Sequence, residues 1–170
     1  MFDHFERELR AELSVADVRI SAMPMCDYFS AADDEAAVAV LQTPGGAGSA
    51  SLDVVYLKNI DPVVCMARLE AIMAGCSYEE ALQRPRCGQL LSSPEAESAF
   101  VMSVSETLRE LLAAATEDDV IRVAEPWSLT EELRMAGVDA QAAAGVLAAL
   151  AGLARRARAA DMHLYCQWTL

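Results

Sequence analysis

Hydrophobic and polar residues follow two different periods in the C-terminal part of the chain. Between residues 140 and 160, apolar side chains recur at spacings of three and four, as they do on one face of a helix. Asp139 suits the N-cap of that helix because its carboxylate can accept from free first-turn amides. Residues 162–169 alternate with a period of two, which indicates a strand. The pattern therefore predicts a long helix that leads into a terminal strand.

Two glycines interrupt this predicted helix. Gly145 and Gly152 each cost about 1 kcal/mol of helix stability relative to alanine. Being seven residues apart, they lie on one face of the helix. We therefore expect a neighbouring element to approach that face closely.

The rest of the chain predicts short helices around a small sheet. Residues 2–13 form an amphipathic pattern, 52–57 is a strand suited to pair with the C-terminal strand, and 99–102 could be another. Asp61 and Pro62 begin a helix that stops at Gly75. Further helix starts follow the capping-box pattern, at Ser30/Asp33, Ser77/Glu80, Ser103/Glu106, Thr116/Asp119 and Ser128/Glu131. In the helix predicted over 117–125, closed by Pro126 and Trp127, the buried candidates are Val120, Ile121 and Val123.

These elements predict an α+β fold. Residues 25–170 form one domain, and residues 1–24 form a helical extension that could mediate homodimerisation through 2–13. A length of 170 residues and a hydrophobic content of 54% are sufficient for a single core.

Charge and composition narrow the possible partners. A net charge of −13, spread along the chain, argues against nucleic acid and favours either simple solubility or a basic protein partner. No apolar run is long enough to cross a membrane, and the charged N-terminus is unlike a signal peptide, so we expect a cytoplasmic protein.

The five cysteines contain no C-x-x-C pair, which predicts free thiols and neither a metal nor a cofactor. His163 and Cys166 would point to opposite faces of a strand, a poor geometry for shared zinc ligation.

No catalytic signature is present, but several side chains could line a pocket at the end of the sheet. The candidates are Lys58, Asp61, Cys87, Trp127, His163 and Tyr165. Each also has an ordinary structural interpretation, as a cap, loop, core or sheet-face residue. Arg84 and Arg86 would lower the pKa of Cys87 if they were close and the thiol were exposed. The glycine-rich segment 43–51 lies between a helix and a strand and lacks the lysine of a phosphate-binding loop, so a loop with no ligand is the favoured interpretation.

The amino-acid sequence from Met25 onward resembles that of a family of uncharacterised small acidic proteins of streptomycetes and related actinobacteria. The residues that carry the resemblance are 27–29, 31–34, 57–64, 69–70, 77–80, 126–128, 130–132, 153–159 and 164–166. Such proteins begin near Met25, which implies that residues 1–24 are an extension or follow an upstream start codon. The order of elements is also similar to that of YfbM-like bacterial proteins of unknown function. Neither resemblance implies an activity or a catalytic residue.

We expect a protein-interaction or regulatory module rather than an enzyme, with an immunity-like or inhibitory role as one form of it. Its acidic face would be built from Glu117, Asp118, Asp119, Glu131 and Glu132. The alternative is a small enzyme or ligand-binding protein, which requires the pocket candidates to converge within hydrogen-bond reach.

Overall fold

A four-stranded antiparallel sheet organises the fold. The computed structural model describes residues 24–49 and 52–170, so the predicted helix at 2–13 lies outside the described residues. The strands are β1 (Met25–Ala31), β2 (Val54–Lys58), β3 (Ala99–Ser103) and β4 (His163–Thr169), in the spatial order β2-β1-β4-β3. The fold is α+β, as the sequence predicts.

Seven α-helices accompany the sheet in the described part of the chain. They are α1 (Asp34–Ala39), α2 (Val64–Ala74), α3 (Tyr78–Leu82), α4 (Glu106–Ala114), α5 (Glu117–Ser128), α6 (Glu131–Met135) and α7 (Ala140–Ala159). Two 3-10 turns, Val40–Gln42 and Gly46–Ser49, lie between α1 and β2. The long helix followed by a terminal strand is confirmed by α7 and β4.

Side-chain caps explain several helix starts. The Asp139 carboxylate accepts from the Ala142 amide at 2.8 Å, as predicted for the start of α7. Complete capping boxes begin α3 at Ser77 and α5 at Thr116. Asp61 accepts from the first amides before α2, and Gly75 ends that helix in the left-handed conformation at φ 67°.

Three predicted helix boundaries in the second half of the chain are wrong. Ser103 lies in β3 and Ser105 is the N-cap of α4, so the cap is two residues later than the pattern suggested. Thr130 begins α6, whereas Ser128 is the last residue of α5, which runs through Pro126. Hydroxyl residues two positions apart are equivalent cap candidates in the local sequence, so tertiary packing determines which of them precedes the helix.

The largest omission is β1, because residues 25–31 carried no strand prediction. Ser30, predicted to cap a helix, is part of this strand, and α1 begins instead after the N-cap Asp33. β1 pairs with both β2 and β4, which makes β2 an edge strand of the sheet. The predicted pairing of 52–57 with the C-terminal strand is therefore wrong, and β4 pairs with β1 and β3.

The sheet separates two unequal cores. One face carries Tyr28 and Cys166 and is covered by helices that contribute Trp127, Leu147 and Leu150 to the main core. The opposite face, called here the second face, has a smaller core of Phe29, Ala31, Ala37, Val40, Ala47, Val101 and Tyr165. Strand alternation produces this separation, because successive side chains point to opposite faces.

The glycines of α7 do not mark a close approach. A Cβ added at Gly145 would have no other atom within 4 Å, and one at Gly152 would meet only the side chain of Arg156 from the same helix. The expected neighbouring element is absent at both positions in the described structure. No helix of residues 24–49 and 52–170 has the length and apolar character needed to cross a membrane.

Candidate functional site

The pocket candidates do not all come together. Along β1, Lys58 of β2 pairs opposite Met25, whereas His163 of β4 pairs opposite Ala31. Six residues of strand separate these two positions, which corresponds to about 20 Å. Lys58 and His163 therefore lie at opposite ends of the sheet.

Asp61 and Trp127 have structural partners. The carboxylate of Asp61 accepts hydrogen bonds from the amides of Val63 and Val64, at 2.9 and 2.6 Å. Trp127 is fully buried in the main core, where its indole N–H donates to the carbonyl of Cys65 at 3.2 Å. Trp127 is thus a core residue and lines no open groove.

Cys87 does not meet the conditions for a reactive thiol. It is only 9% exposed, and burial, with Glu70 nearby, raises its pKa to about 12. Of its two arginine neighbours, Arg84 binds Glu70 and Arg86 binds Asp34. Arg84 favours the thiolate, but burial and Glu70 outweigh it, so the condition of an exposed thiol with a lowered pKa is not met.

Arg86 is the centre of a polar network on the second face. Its guanidinium donates two hydrogen bonds, of 2.9 and 3.2 Å, to Asp34 at the start of α1. The hydroxyl of Tyr165 donates to the same carboxylate at 2.9 Å. The hydrogen bonds from Arg86 and Tyr165 lower the pKa of Asp34, whereas burial and this hydrogen bond raise the pKa of Tyr165. Arg86 adopts a left-handed backbone conformation, φ 67°, which a non-glycine residue occupies only at a cost.

Glu106 extends the network to His163. Its carboxylate lies 2.5 Å from Nδ1 of His163, 3.1 Å from Arg109 and 3.5 Å from Arg86. His163 and Tyr165 share a strand face two residues apart, so these two pocket candidates do lie in one cluster. We name this cluster, which comprises Asp34, Arg86, Glu106, Arg109, His163 and Tyr165, the Arg86 network.

The chemistry of the Arg86 network is that of mutual pairing. The Asp34 carboxylate accepts from Arg86 and Tyr165, and the Glu106 carboxylate lies against His163, Arg109 and Arg86. Arg109 also donates to the carbonyl of Met162 at 2.6 Å, which holds the start of β4 against α4. These contacts connect three elements that are distant in sequence.

Another carboxylate, that of Glu70, is buried and does not belong to the Arg86 network. Glu70 on α2 is 1% exposed, and it accepts from Arg84 at 3.0 Å and from the hydroxyl of Ser105 at 2.5 Å. Ser105 also caps α4, so Glu70 joins α2 to the start of that helix. In residues 24–49 and 52–170, no three His, Cys, Asp or Glu side chains are grouped so that they could hold a metal ion.

The predicted acidic residues lie on α5 and α6, which follow each other along the chain. Glu117, Asp118 and Glu131 are exposed. Asp119 is used in the capping box of α5, and hydrogen bonds from Thr116 and Arg122 lower its pKa to about 2. Glu132 lies 3.8 Å from Arg68. The set thus contains both free and paired carboxylates.

The exposure of three large apolar side chains in the same part of the chain was not predicted from the sequence. Ile121 is 68% exposed, so its predicted burial is wrong, and Leu129 and Met135 are 66% and 82% exposed. The buried face of α5 is instead formed by Val123, Ala124 and Trp127. The helical period of three and four residues does indicate that Ile121 is exposed, because Ile121 is out of phase with Val123 and Trp127.

No protein-family model, curated protein or solved structure matched the chain.

Proposed function

We propose that the protein is an interaction module that binds a basic protein segment through the exposed surface of α5 and α6. The observation that carries the proposal is the presence of three large, exposed apolar side chains beside free carboxylates. We call this surface the α5–α6 surface, and we define it by Glu117, Asp118, Ile121, Glu125, Leu129, Glu131 and Met135.

The apolar side chains supply contact area. Single exposed apolar residues are common on protein surfaces, but several on neighbouring elements favour a binding role. Ile121, Glu125 and Leu129 follow at intervals of four, so they lie along the outer side of α5 and its C-cap. Ile121 and Leu129 are then about 12 Å apart along the helix axis. A partner helix could contact both with side chains from successive turns.

The charges specify the chemistry of the partner. Residues 116–135 contain six acidic and two basic side chains, and Arg122 already pairs with Asp119 at 2.7 Å. In the described part of the chain, Glu117, Asp118, Glu125 and Glu131 form no ion pair. Lysine or arginine side chains of a partner would find unpaired carboxylates here, which favours fast association and correct orientation.

The basic residues of α7 provide a contrast. Arg156 pairs with Asp53, Arg158 lies 3.7 Å from Glu110, and Arg155 donates to the carbonyl of Ala115. These arginines already have partners within the chain, whereas the carboxylates of the α5–α6 surface have no ion-pair partner among the described residues. A cytoplasmic regulatory or immunity-like role, in which the surface covers a basic target, is the form of interaction that we favour.

The enzyme alternative receives less support. It requires Lys58, Asp61, Cys87, His163 and Tyr165 to meet, and Lys58 lies about six strand residues from His163. Of these residues, only His163 and Tyr165 lie in one cluster, where His163 already pairs with Glu106 and Tyr165 with Asp34.

An affinity capture with matched charge reversals tests the proposal. The first variant combines Asp118→Lys with Glu125→Lys on the α5–α6 surface. The control combines Glu79→Lys with Glu97→Lys, which makes the same change in net charge at exposed residues elsewhere. Wild type and control should retain the same basic protein at low salt and release it at high salt, and the first variant should not retain it.

Binding by the first variant that equals binding by the wild type would overturn the proposal. A second variant, Ile121→Ser with Leu129→Ser, tests the apolar contribution without a change in charge. It should weaken the captured complex by about tenfold or more, in line with the loss of two apolar contacts.

A further inference from the structure

The outer edge of β3 is covered by the chain itself. The Leu91 amide donates to the carbonyl of Val101 at 2.9 Å. The Ser103 amide donates to the carbonyl of Gln89 at the same distance of 2.9 Å. The amide of Val101 donates to the hydroxyl of Ser92, also at 2.9 Å. A neighbouring segment thus satisfies outward backbone groups of β3, which protects this edge from pairing with another strand.

The register of β2 with β1 shows which of its residues face outward. The Asn59 amide donates to the carbonyl of Pro24 at 3.1 Å, in line with the ladder between the two strands. Hydrogen-bonded and non-hydrogen-bonded positions alternate in an antiparallel pair. The backbone N–H and C=O groups of Val55 and Leu57 therefore point towards β1.

The backbone groups of the other three residues of β2, Val54, Tyr56 and Lys58, point away from the sheet. They have no hydrogen-bond partner among residues 24–49 and 52–170. Tyr56 is 59% exposed, and β2 contains no proline and only one charge, which lies at its end on Lys58. A regular edge strand that is left open in this way can pair with a further strand.

We propose that β2 pairs antiparallel with β2 of a second copy of this chain, around a two-fold axis between the two Tyr56 residues. In this register Tyr56 lies opposite Tyr56 of the second copy, and Val54 lies opposite Lys58 of the second copy. Each such pair exchanges two N–H···O bonds, so every outward group of both strands finds a partner. A shift by two residues leaves one outward-facing residue of each strand unpaired. The two four-stranded sheets become one continuous sheet.

Charge and side-chain pattern favour a second copy as the occupant. Residues 54–58 contain no acidic side chain, although the whole chain has a net charge of −13. The two Lys58 side chains lie four strand positions apart in the proposed register, or about 13 Å, so no like charges are directly opposite. Val54 and Tyr56 meet their counterparts on one side of the sheet. Val55 and Leu57 do so on the other side, so apolar contacts form on both.

The contact is small, so we expect a weak dimer. One pair of short strands buries less area than the roughly 1,200 Å² of a stable complex, which suggests a Kd of about 10–100 μM. The net charge of −13 makes two copies repel each other, and salt screens this repulsion. Dimerisation should therefore strengthen as the salt concentration rises. Binding of a basic partner to the α5–α6 surface should weaken, so the two proposals stand or fall separately.

Sedimentation equilibrium and amide hydrogen exchange of the full chain test the proposal. The protein is measured between about 10 μM and 1 mM at about 0.5 M salt, where we expect a reversible monomer–dimer equilibrium. As the dimer forms, exchange at the amides of Val54, Tyr56 and Lys58 should slow. The amides of Val55 and Leu57 already bond to β1 and should not change. A chain that stays monomeric, or a dimer that leaves the three outward amides unaffected, would overturn the proposal.

Two substitutions at one position test the register. Val54→Glu places a carboxylate opposite Lys58 of the second copy and should strengthen dimerisation by about threefold or more. Val54→Lys places like charges opposite each other and should weaken it by a similar factor. Net charge alone predicts the reverse order, because Val54→Glu makes the chain more negative. Combining Val54→Lys with Lys58→Glu should restore the dimer. Equal dimerisation of the two Val54 variants would contradict the proposed pairing.

Tyr56→Pro provides a test that does not depend on charge. Proline removes the central outward N–H, which an edge strand tolerates because that group bonds to nothing within the described chain. The variant should remain monomeric up to about 1 mM while its thermal unfolding midpoint stays close to that of the wild type. A folded Tyr56→Pro variant that dimerises like the wild type would overturn the proposal. If this variant fails to fold, the Val54 pair still decides the question.

Discussion

The two faces of the sheet are covered in different ways. On the helix-covered face, Tyr28 and Cys166 meet large side chains such as Trp127 and Leu147, and the contacts are apolar. On the second face, a thin layer from α1 and the 3-10 turns covers Phe29, and charged residues lie at the margins. The first arrangement draws its stability mainly from buried area, whereas the second combines a smaller apolar core with specific pairings.

The difference indicates where function can change without loss of the fold. Apolar burial is not directional, so the helix-covered face needs only matching volume. The second face carries the Arg86 network at one end and, at the other, Asp27, whose Oδ1 atom has no hydrogen-bond partner among the described residues.

Trp127→Ala should produce the largest loss of stability. The variant removes a fully buried aromatic side chain and its hydrogen bond to Cys65, at a cost of about 3–5 kcal/mol. Urea unfolding measures this cost. The control is Leu129→Ala on the same helix end, which is exposed and should change the stability by about 0.5 kcal/mol or less. Equal effects in the two variants would contradict the assignment of Trp127 to the core.

Arg86→Gln should have a smaller effect, because it breaks pairings at a partly exposed site. Asp34 is about half exposed, so water compensates part of the loss, and we expect a cost of about 1–2 kcal/mol. Arg122→Gln is the matched control, since its pair with Asp119 lies at the surface, where water screens it, and should contribute less. If urea unfolding shows no difference between these variants, the Arg86 network is not a stabilising feature.

The pH dependence of stability should identify Asp34 as a charged member of the network. The pKa of Asp34 is lower in the folded chain than its ordinary value of 3.8, chiefly because Arg86 donates to it. Its contribution is therefore present above the unfolded-state pKa and is lost as the pH falls through the folded-state pKa. Asp34→Asn should flatten the acid side of the stability curve below about pH 5, while the stability at pH 8 also decreases. A curve of unchanged slope would show that Asp34 does not titrate in this way.

Gly145→Ala should increase stability slightly. The added methyl group meets no other atom within 4 Å, and alanine is preferred inside a helix by about 0.5–1 kcal/mol. Gly46→Ala provides the opposite case, because it has φ 63° and its Cβ would strike Gln167 on the second face. Thermal unfolding should show a higher midpoint for the first variant and a lower one for the second. A destabilised Gly145→Ala would indicate a close neighbour after all.

Local sequence patterns predicted the elements that depend on short-range interactions. The helix after Asp139 and the strand after it could be found because caps and side-chain periods act within a few residues. The turn at Gly75 could be found for the same reason. The exact caps of α4 and α6 could not, because Ser103, Ser105, Ser128 and Thr130 are locally similar.

The candidate sites were less predictable. His163 and Tyr165 could be placed together because they are two residues apart on one strand. Their partners, Asp34, Arg86 and Glu106, come from α1, a loop and α4, and no local pattern relates these positions. The open edge of β2 was overlooked because β1 was overlooked, and the strand order that leaves β2 at an edge is visible only in three dimensions.

The α+β class, the long α7 helix, the terminal strand and the excess of negative charge could all be predicted from the order of residues. These properties follow from composition and from interactions between residues close in the chain. Three other features depend on the packing of distant segments: β1 lies between β2 and β4, Ile121 is exposed, and Lys58 and His163 lie at opposite ends of the sheet. Strand order and side-chain neighbours depend on contacts between distant segments, and those contacts are selected by the packing of the whole core.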